Sequence, residues 1–221
     1  MSSKKAVIWD LDATIIDSHG DHLEAWRNTL ARHGIIVSDD DVRHKFGKTG
    51  LEIVSDIVQE RGLKGFSEDH IRKIAHEKAE YYRRQGSIIL MRGAIEAIRI
   101  FHGKGMKMAI ATASPKSNID KVLEKTEVGR YIEAFVAAED ITRAKPYPDM
   151  LLLAARRLGV KPGECIAIDD SFLGIKAANA AGMKSVAVAT GEWPLETLKK
   201  EAAMAFRDLN EIIAHLDEVL A

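Results

Sequence analysis

Short apolar runs alternate with longer amphipathic stretches along most of the chain. The runs at residues 6–9, 108–112, 134–137, 165–168 and 185–189 contain no charged residue. Runs of this kind predict strands that are buried on both faces, as in a parallel sheet. Between them, helical spacing of apolar residues predicts helices at 93–103, 115–126, 148–158 and 171–181. The alternation predicts an α/β fold with a Rossmann-like parallel sheet core, and residues 205–220 predict a final strand and helix.

The region between residues 18 and 86 departs from this alternation. Its periodicity predicts helices at 21–33, 39–45, 51–61 and 67–84 and no strand, with Ser38 and Ser67 as N-caps. The region follows the first strand, and ligands of open α/β sheets bind at the carboxyl ends of the strands. We therefore expect a core domain of residues 1–17 and 87–221, with an inserted all-helical cap domain, residues 18–86, over the active edge.

The amino-acid composition is that of a globular protein and gives no sign of a nucleic-acid or membrane partner. The 221 residues are 46% hydrophobic and 29% charged, and 32 basic against 33 acidic residues give a net charge of −1. These values are typical of globular proteins and argue against a nucleic-acid partner. No apolar run reaches the length of a membrane span, and the first residues lack a secretory signal, so we expect a cytoplasmic protein without a membrane partner. The single cysteine excludes an internal disulfide. The balanced charge permits a monomer, which we expect, and a dimer stays open.

Polar side chains gather where the predicted strands end. They are Asp10 and Asp12 after the first strand, Thr112 and Ser114 after the second, Lys145 before two prolines, and Asp169 and Asp170 after the fourth. Residues two apart in a strand face the same side, so the first two carboxylates can converge. Two like charges in one small volume need a cation or a proton, and a hard divalent ion prefers oxygen ligands. Taken alone, this pair is also consistent with a helix N-cap beside a solvated acid, although the cation is favoured.

The order and spacing of the four motifs resemble those of the haloacid dehalogenase superfamily, in its magnesium-dependent phosphotransferase branch with a helical cap. The resemblance covers essentially the whole chain and rests on "DLDAT" at 10–14, Thr112, "AKPYPD" at 144–149 and "IDDSFLGIKAANAAGM" at 168–183. The chain is most similar to the β-phosphoglucomutase-like and phosphoglycolate phosphatase-like enzymes. The resemblance implies a phosphatase that hydrolyses a small phosphorylated metabolite, of the sugar phosphate or phosphoglycolate type, through an aspartyl-phosphate.

The same resemblance implies roles for the motif residues. Asp10 is the nucleophile, and Asp12 is the acid that protonates the leaving oxygen and then the base. Mg²⁺ is held by Asp10, the Asp12 carbonyl and Asp170. Asp169 either binds the metal directly or contacts the residues that do. The phosphate-binding groups are Thr112, Ala113, Lys145 and the backbone N–H groups near Leu11, Asp12 and Ala13.

Substrate choice is assigned to the cap. His22 and Lys78 fall near a histidine and a lysine of the β-phosphoglucomutase pattern. Lys45 and Lys48, with "FGKTG" at 46–50, are expected to line a specificity loop over the site. Gly50 replaces an arginine of that pattern, and Thr14 is the residue that phosphatases commonly carry. Both differences favour hydrolysis of a phosphate ester over the phosphomutase reaction, which needs recognition of a sugar bisphosphate. A lone histidine or lysine on a helix surface is more often simply solvated.

Alternatives differ in their chemistry. A β-phosphoglucomutase-type phosphomutase is the main alternative, on the strength of His22 and Lys78. Phosphonate cleavage with Lys48 as a Schiff base is disfavoured because Asp12 is present, and a non-catalytic binding protein is disfavoured because every motif acid is present. A phosphate-binding loop at residues 47–49 lacks the glycine it needs at Val42.

Ala13 stands where the family usually has glycine. Alanine disfavours a positive φ, so we predict a negative φ for Ala13 and an N–H that remains free for a phosphate oxygen.

Overall fold

A six-stranded parallel sheet forms the centre of the computed structural model, which describes residues 4–84 and 88–221. The strands are β1 (Ala6–Trp9), β2 (Lys107–Ala111), β3 (Ala134–Val136), β4 (Cys165–Asp169), β5 (Lys184–Val188) and β6 (Met204–Phe206). They lie in the order β3-β2-β1-β4-β5-β6, and every neighbouring pair is parallel. The predicted α/β fold with a Rossmann-like sheet is thereby confirmed. The strand order reverses between β1 and β4, which is where such sheets bind ligands.

Helices cover both faces of the sheet. They are α5 (Ala94–Gly103), α6 (Lys116–Lys125), α7 (Asp149–Leu158), α8 (Phe172–Ala180), α9 (Leu195–Leu198), α10 (Leu209–Ala214) and α11 (Leu216–Leu220). Alternate residues of β1 divide between the two layers: Val7 and Trp9 join a cluster with α5, α6 and α10, whereas Ala6 and Ile8 join one with α7 and α8. This alternation follows from the two-residue period of a strand, and it fixes β1 at the centre of the core. The single helix predicted for the tail is wrong, because the chain breaks at His215 into two short helices.

Four helices follow β1 in the chain and precede α5: α1 (His19–Arg32), α2 (Asp39–Arg43), α3 (Gly50–Glu60) and α4 (Glu68–Arg84). We call them the helical segment. They pack around an apolar cluster of their own that includes Trp26, Leu30 and Ile74. Ser38 caps α2 in a capping box, and the Ser67 hydroxyl accepts from the His70 N–H at the start of α4, as predicted. The predicted domain boundary at 86/87 lies outside the described residues.

Among residues 4–84 and 88–221, no helix combines the length and the apolar character that crossing a bilayer requires.

Candidate active site

Three buried carboxylates meet where the adjacent strands β1 and β4 end. One oxygen each of Asp10, Asp169 and Asp170 lies within 4.8 Å of the others, and each residue is at most 8% exposed. The register pairs Trp9 with Ile168, so the residues that follow on each strand leave the sheet side by side. Lys145 joins them from the segment before α7, with Nζ 2.5 Å from Asp10 Oδ1 and 2.6 Å from Asp169 Oδ2. We call these three acids the acid triad.

One ammonium group does not balance the charge of the acid triad. Burial raises the pKa of Asp10 to about 8, against the opposing effect of Lys145. Burial and the neighbouring carboxylates raise the pKa of Asp170 well above its usual value. Burial also acts to lower the pKa of Lys145, but Asp10 and Asp169 outweigh it and raise that pKa. Carboxylate oxygens clustered with a deficit of positive charge suit a divalent cation such as Mg²⁺, and the residues present therefore fit one.

Asp169 and Asp170 differ in how their oxygens are used. Asp169 Oδ1 accepts from the Ser171 N–H at 2.8 Å and the Ser171 hydroxyl at 2.7 Å, and Oδ2 accepts from Lys145. Asp170 accepts a long hydrogen bond from Thr14 Oγ1 at 3.3 Å, and its Oδ2 lies 3.9 Å from His19 Nε2. Asp169 thus orients Lys145 and the start of α8, whereas Asp170 keeps its oxygens available to a cation.

Two glycines make room for these carboxylates. A Cβ at Gly174 would lie 1.9 Å from Asp169 Oδ2, and a Cβ at Gly191 would lie 1.8 Å from Asp170 Oδ2. Both distances are far below van der Waals contact, so each acid occupies the space that a side chain would fill. The small residues after β4 and β5 therefore set the position of the acid triad.

Asp12 points away from the acid triad toward the helical segment. Its Oδ1 accepts from the Ser18 hydroxyl at 2.7 Å and contacts His22 Nε2 at 2.9 Å, while Oδ2 accepts from Ser114 Oγ at 2.5 Å and Thr112 Oγ1 at 3.5 Å. Burial acts to raise the pKa of Asp12, but His22 and the two serine hydroxyls outweigh it and hold that pKa below the usual range. The two aspartates that follow β1 therefore have opposite environments.

A buried chain of polar groups continues from Asp12 into the helical segment. His22 Nδ1 contacts Lys78 Nζ, and the His22 ring stacks on Tyr82 with centroids 4.1 Å apart. Burial lowers the pKa of His22, and it lowers the pKa of Lys78 to about 7. Both residues that sequence similarity suggested for the cap are thus buried, with His22 against Asp12 and Lys78 on the far side of the His22 ring.

The predicted phosphate-binding groups are only partly brought together. Thr112 is buried beside Asp12, and among the residues that the structure describes no backbone acceptor takes the N–H of Leu11 or Ala113. Those two N–H groups remain able to bind a phosphate oxygen. The prediction for Ala13 is wrong on both counts, because its φ is +56° and its N–H donates to the Ile16 carbonyl at 2.8 Å.

The conformation of Ala13 follows from the reversal of the chain after β1. The N–H groups of Thr14, Ile15 and Ile16 all donate to the Leu11 carbonyl, so the loop closes within a few residues. Thr190 also donates its hydroxyl to the Ala13 carbonyl at 2.6 Å. These bonds and the burial of both isoleucines outweigh a left-handed alanine, which costs about 1–2 kcal/mol.

A cavity of about 670 Å³ lies between the sheet edge and the helical segment. Asp10, Asp12 and Thr112 line one end, and Trp26, Phe46 and Lys78 are among the helical residues that line the other. Ala113, His22 and Lys48 of the predicted site also line the cavity. Lys45 does not; it is buried and paired with Glu60 at 2.6 Å.

The cations on the cavity wall are already engaged. Lys48 Nζ donates to Asp56 at 2.5 Å, Arg72 pairs with Glu68, and Lys78 contacts His22. Among the described residues that line the cavity, every lysine and arginine therefore has a protein partner. Far from the acid triad, the cavity suits a neutral group better than a second phosphate.

Several residues of the site gave no signal in the sequence. Ser18, which precedes α1, donates to Asp12, and Tyr82 of α4 stacks on His22. Glu192, in the loop after β5, lies 3.2 Å from His19 Nδ1 and 3.7 Å from Arg43 Nε. Neither residue type nor spacing marks such positions, because the contacts depend on how the chain folds back on itself.

Comparisons with known proteins agree with this geometry. A family model described as haloacid dehalogenase-like hydrolase matches residues 4–182. Fructose-1-phosphate phosphatase YqaB of Escherichia coli is 32% identical over 186 residues, which are 82% of this chain and 95% of that protein. A phosphorylated carbohydrates phosphatase of Thermotoga maritima is 27% identical over 222 residues, covering 98% of this chain and 100% of that protein. The crystal structure of a β-phosphoglucomutase from Clostridium difficile matches with a TM-score of 0.88 at 27% identity, covering 98% of this chain and 97% of that one.

Proposed function

The chain belongs to the haloacid dehalogenase-like hydrolases, and from this premise we propose that it is a Mg²⁺-dependent phosphatase of sugar monophosphates. One observation carries the proposal. Two aspartates of the same strand end line one cavity, Asp10 within the acid triad and Asp12 among hydroxyl and imidazole groups. The first position suits a nucleophile beside a cation, and the second suits a group that moves a proton.

The proposed reaction has two displacements at phosphorus. An Asp10 oxygen attacks phosphorus while the bond to the sugar oxygen breaks, and Asp12 gives its proton to that oxygen. Water then attacks the aspartyl-phosphate, Asp12 takes the water proton, and the bond between phosphorus and Asp10 breaks to release phosphate. Both aspartates return to their starting states, so one ester and one water give one alcohol and one phosphate.

Positioning falls to the groups around the two aspartates. Lys145 holds Asp10 and offsets negative charge, while Thr112 and the N–H groups of Leu11 and Ala113 bind phosphoryl oxygens. Asp10, the Asp12 carbonyl and Asp170 would hold Mg²⁺, which when bound orients the phosphate and offsets charge on its oxygens. We propose that Asp169 does not bind the metal directly, because both of its oxygens already accept hydrogen bonds from the protein.

Asp12 must carry a proton in the first displacement. The hydrogen bonds of the free protein favour its carboxylate form. A phosphate bound next to it brings negative charge, which raises a carboxyl pKa. His22 lies within hydrogen-bond distance to pass a proton from Nε2 to Asp12, and the Lys78 ammonium group gives Nδ1 a proton in its place. We infer that Lys78, on the far side of the ring, sets the orientation and charge of His22.

The cavity supports a sugar over a smaller substrate. Its volume of about 670 Å³ exceeds what a two-carbon acid such as glycolate needs, and its distant wall offers no unpaired lysine or arginine among the described residues. A neutral, hydroxylated leaving group fits both properties. The two related phosphatases, from Escherichia coli and Thermotoga maritima, are named for phosphorylated carbohydrates.

We propose that the helical segment acts as a cap domain, with the boundaries predicted from the sequence. It has its own apolar cluster, and it supplies one wall of the cavity. The predicted cytoplasmic location and monomeric state stay predictions.

Phosphate release tests the proposed function. The purified protein with Mg²⁺ should hydrolyse 4-nitrophenyl phosphate and members of a sugar monophosphate panel, and Asp10→Asn should abolish both activities. Asp120→Asn is the matched control, because Asp120 is an exposed acid on α6 that pairs with Lys116. Activity that persists in Asp10→Asn or after removal of metal with EDTA contradicts the mechanism.

A phosphomutase is the second candidate, because the buried link from Asp12 through His22 to Lys78 can hold a proton between two half-reactions. The structural likeness to a β-phosphoglucomutase is in keeping with it. β-Glucose 1-phosphate with a trace of the bisphosphate should then give glucose 6-phosphate. Steady phosphate release without isomerisation decides for the phosphatase.

A further inference from the structure

Tyr82 on α4 covers one face of the His22 ring. The two rings are almost parallel, with centroids 4.1 Å apart and an angle of 7° between their planes. Tyr82 is buried and does not line the cavity, so it has no contact with a substrate there. It is thus not a substrate-binding residue, and what it contacts is the imidazole beside the proposed acid, Asp12.

The polar contacts of His22 fix only part of its orientation. Nε2 lies 2.9 Å from Asp12 Oδ1, and Nδ1 contacts Lys78 Nζ. Both contacts lie along the edge of the ring, and the last torsion of a histidine side chain has only a broad preference of its own. Rotation about that bond would turn the Nε2–H away from Asp12. The parallel Tyr82 ring opposes the rotation, because a turning imidazole drives its edge into the face of the phenol ring.

The Lys78 ammonium group also lies against the Tyr82 ring. Its Nζ is 5.2 Å from the centroid of the Tyr82 ring and 5.0 Å from that of the Trp26 ring. Lys78 is buried, and in the part of the chain that the structure describes it has no ion pair with a carboxylate. Aromatic faces attract a cation and so stabilise an ammonium group that lacks a carboxylate. One phenol ring therefore contacts both groups that pass the proton, His22 and Lys78.

We propose that Tyr82 is a positioning residue, whose ring holds the His22 imidazole and the Lys78 ammonium group in line with Asp12 for proton transfer. The inference rests on the proposed function, since it concerns the acid of the same reaction. Proton transfer needs a hydrogen bond of about 2.6–3.2 Å, and the 2.9 Å contact of His22 meets this need only while the ring keeps its orientation. Tyr82 itself forms no bond with the substrate.

The test varies the leaving group. For Tyr82→Leu, kcat/KM should fall about tenfold or more on the sugar monophosphate that the wild type hydrolyses fastest, because its alcohol leaves only with a proton. On 4-nitrophenyl phosphate, whose phenolate leaves without a proton, kcat/KM should stay within about twofold. Across a series of aryl phosphates, the loss should grow as the pKa of the leaving phenol rises. The ratio kcat/KM is measured because it includes departure of the leaving group but not hydrolysis of the aspartyl-phosphate.

Two control variants separate the ring of Tyr82 from other causes. Tyr82→Phe keeps the ring and loses only the hydroxyl, so its kcat/KM values should stay within about threefold of the wild type. Phe66→Leu removes another aromatic ring that stacks on a histidine of α4, His70, with centroids 4.9 Å apart. Neither Phe66 nor His70 lines the cavity, so this variant should leave every kcat/KM value unchanged. If Tyr82→Leu does not fold, Tyr82→Met repeats the comparison with a side chain that also lacks a flat ring.

Other outcomes overturn the inference. Equal losses on all esters in Tyr82→Leu would show that the ring only supports the fold, and equal losses in Tyr82→Phe and Tyr82→Leu would show that the hydroxyl matters and the ring does not. Unchanged kcat/KM values in Tyr82→Leu, beside a wild type that hydrolyses both classes of ester, refute the inference and leave the phosphatase. If the wild type hydrolyses aryl phosphates and no sugar monophosphate, the aryl series alone decides. Hydrolysis of neither class refutes the proposed function itself, and the inference with it.

Discussion

Replacing Lys145 by methionine tests the charge balance on which the candidate site depends. Lys145 is 3% exposed, and its Nζ lies 2.5 Å from Asp10 and 2.6 Å from Asp169. Methionine has nearly the same length without the charge, so Lys145→Met changes the electrostatics and little of the packing. Removing one partner of a buried ion pair costs about 3–5 kcal/mol of unfolding free energy. We expect a loss in the upper half of that range, because two carboxylates lose the same partner.

Mg²⁺ should restore part of the stability of Lys145→Met. A divalent ion bound to the acid triad supplies the positive charge that the variant lacks, and it binds the folded state only. A ligand at one hundred times its dissociation constant contributes about 2.7 kcal/mol, and the variant should gain more than the wild type at saturating Mg²⁺. Activity at saturating Mg²⁺ should still fall at least about a hundredfold, because Lys145 also offsets charge on the phosphate.

Urea unfolding followed by tryptophan fluorescence measures these differences, once with EDTA and once with Mg²⁺. Lys116→Met is the control, because Lys116 forms an exposed pair with Asp120 and should lose less than about 1 kcal/mol. The reasoning is refuted if Lys145→Met loses no more than Lys116→Met in EDTA. It is also refuted if Mg²⁺ stabilises the variant no more than the wild type.

Three further predictions concern the acid triad and the proposed acid. Gly191→Ala should weaken Mg²⁺ binding measured by calorimetry, since its Cβ would lie 1.8 Å from Asp170 Oδ2, whereas Gly163→Ala, whose Cβ meets nothing, should not change it. Asp12→Asn should lower kcat on a sugar monophosphate by about 10²–10⁴-fold and on 4-nitrophenyl phosphate much less, because the nitrophenolate leaves without a proton; equal losses would contradict the assignment of Asp12 as acid. Thr14→Val should lower the unfolding free energy in urea by about 1–3 kcal/mol, because Asp170 loses a buried donor; an unchanged midpoint would show that this 3.3 Å bond contributes nothing.

Much of the core of the site was predictable because it depends on strand ends. An apolar run followed by an acid marks where a buried strand leaves the sheet, and parallel strands bring all such positions to one edge. This logic predicted that Asp10, Asp169 and Asp170 would lie together, and the structure places them within 4.8 Å of one another. The division of labour between Asp169 and Asp170 was open in the sequence. It was decided by Ser171 and Lys145, which engage one acid and not the other.

The error at Ala13 shows where local propensity fails. Alanine by itself disfavours a positive φ, and that preference amounts to about 1–2 kcal/mol. The loop contains Ile15 and Ile16, both almost completely buried, and it closes on the Leu11 carbonyl. The packing and hydrogen bonds of several residues together outweigh the conformational preference of Ala13. Their combined energy cannot be read from the few residues around position 13, because it depends on what the loop packs against.

The sequence alone determined the layers of the fold, the edge of the sheet that carries the chemistry, and the residue types of the acid triad. Periodicity and strand-end position are local properties, so they can be recognised without knowing what packs against them. Only the tertiary structure decided which side chains act on these groups: Lys78 and Tyr82 on His22, and Ser114 on Asp12. Hydrogen bonds and burial act over a few ångströms, and the residues that make these contacts are up to about a hundred positions apart in the chain.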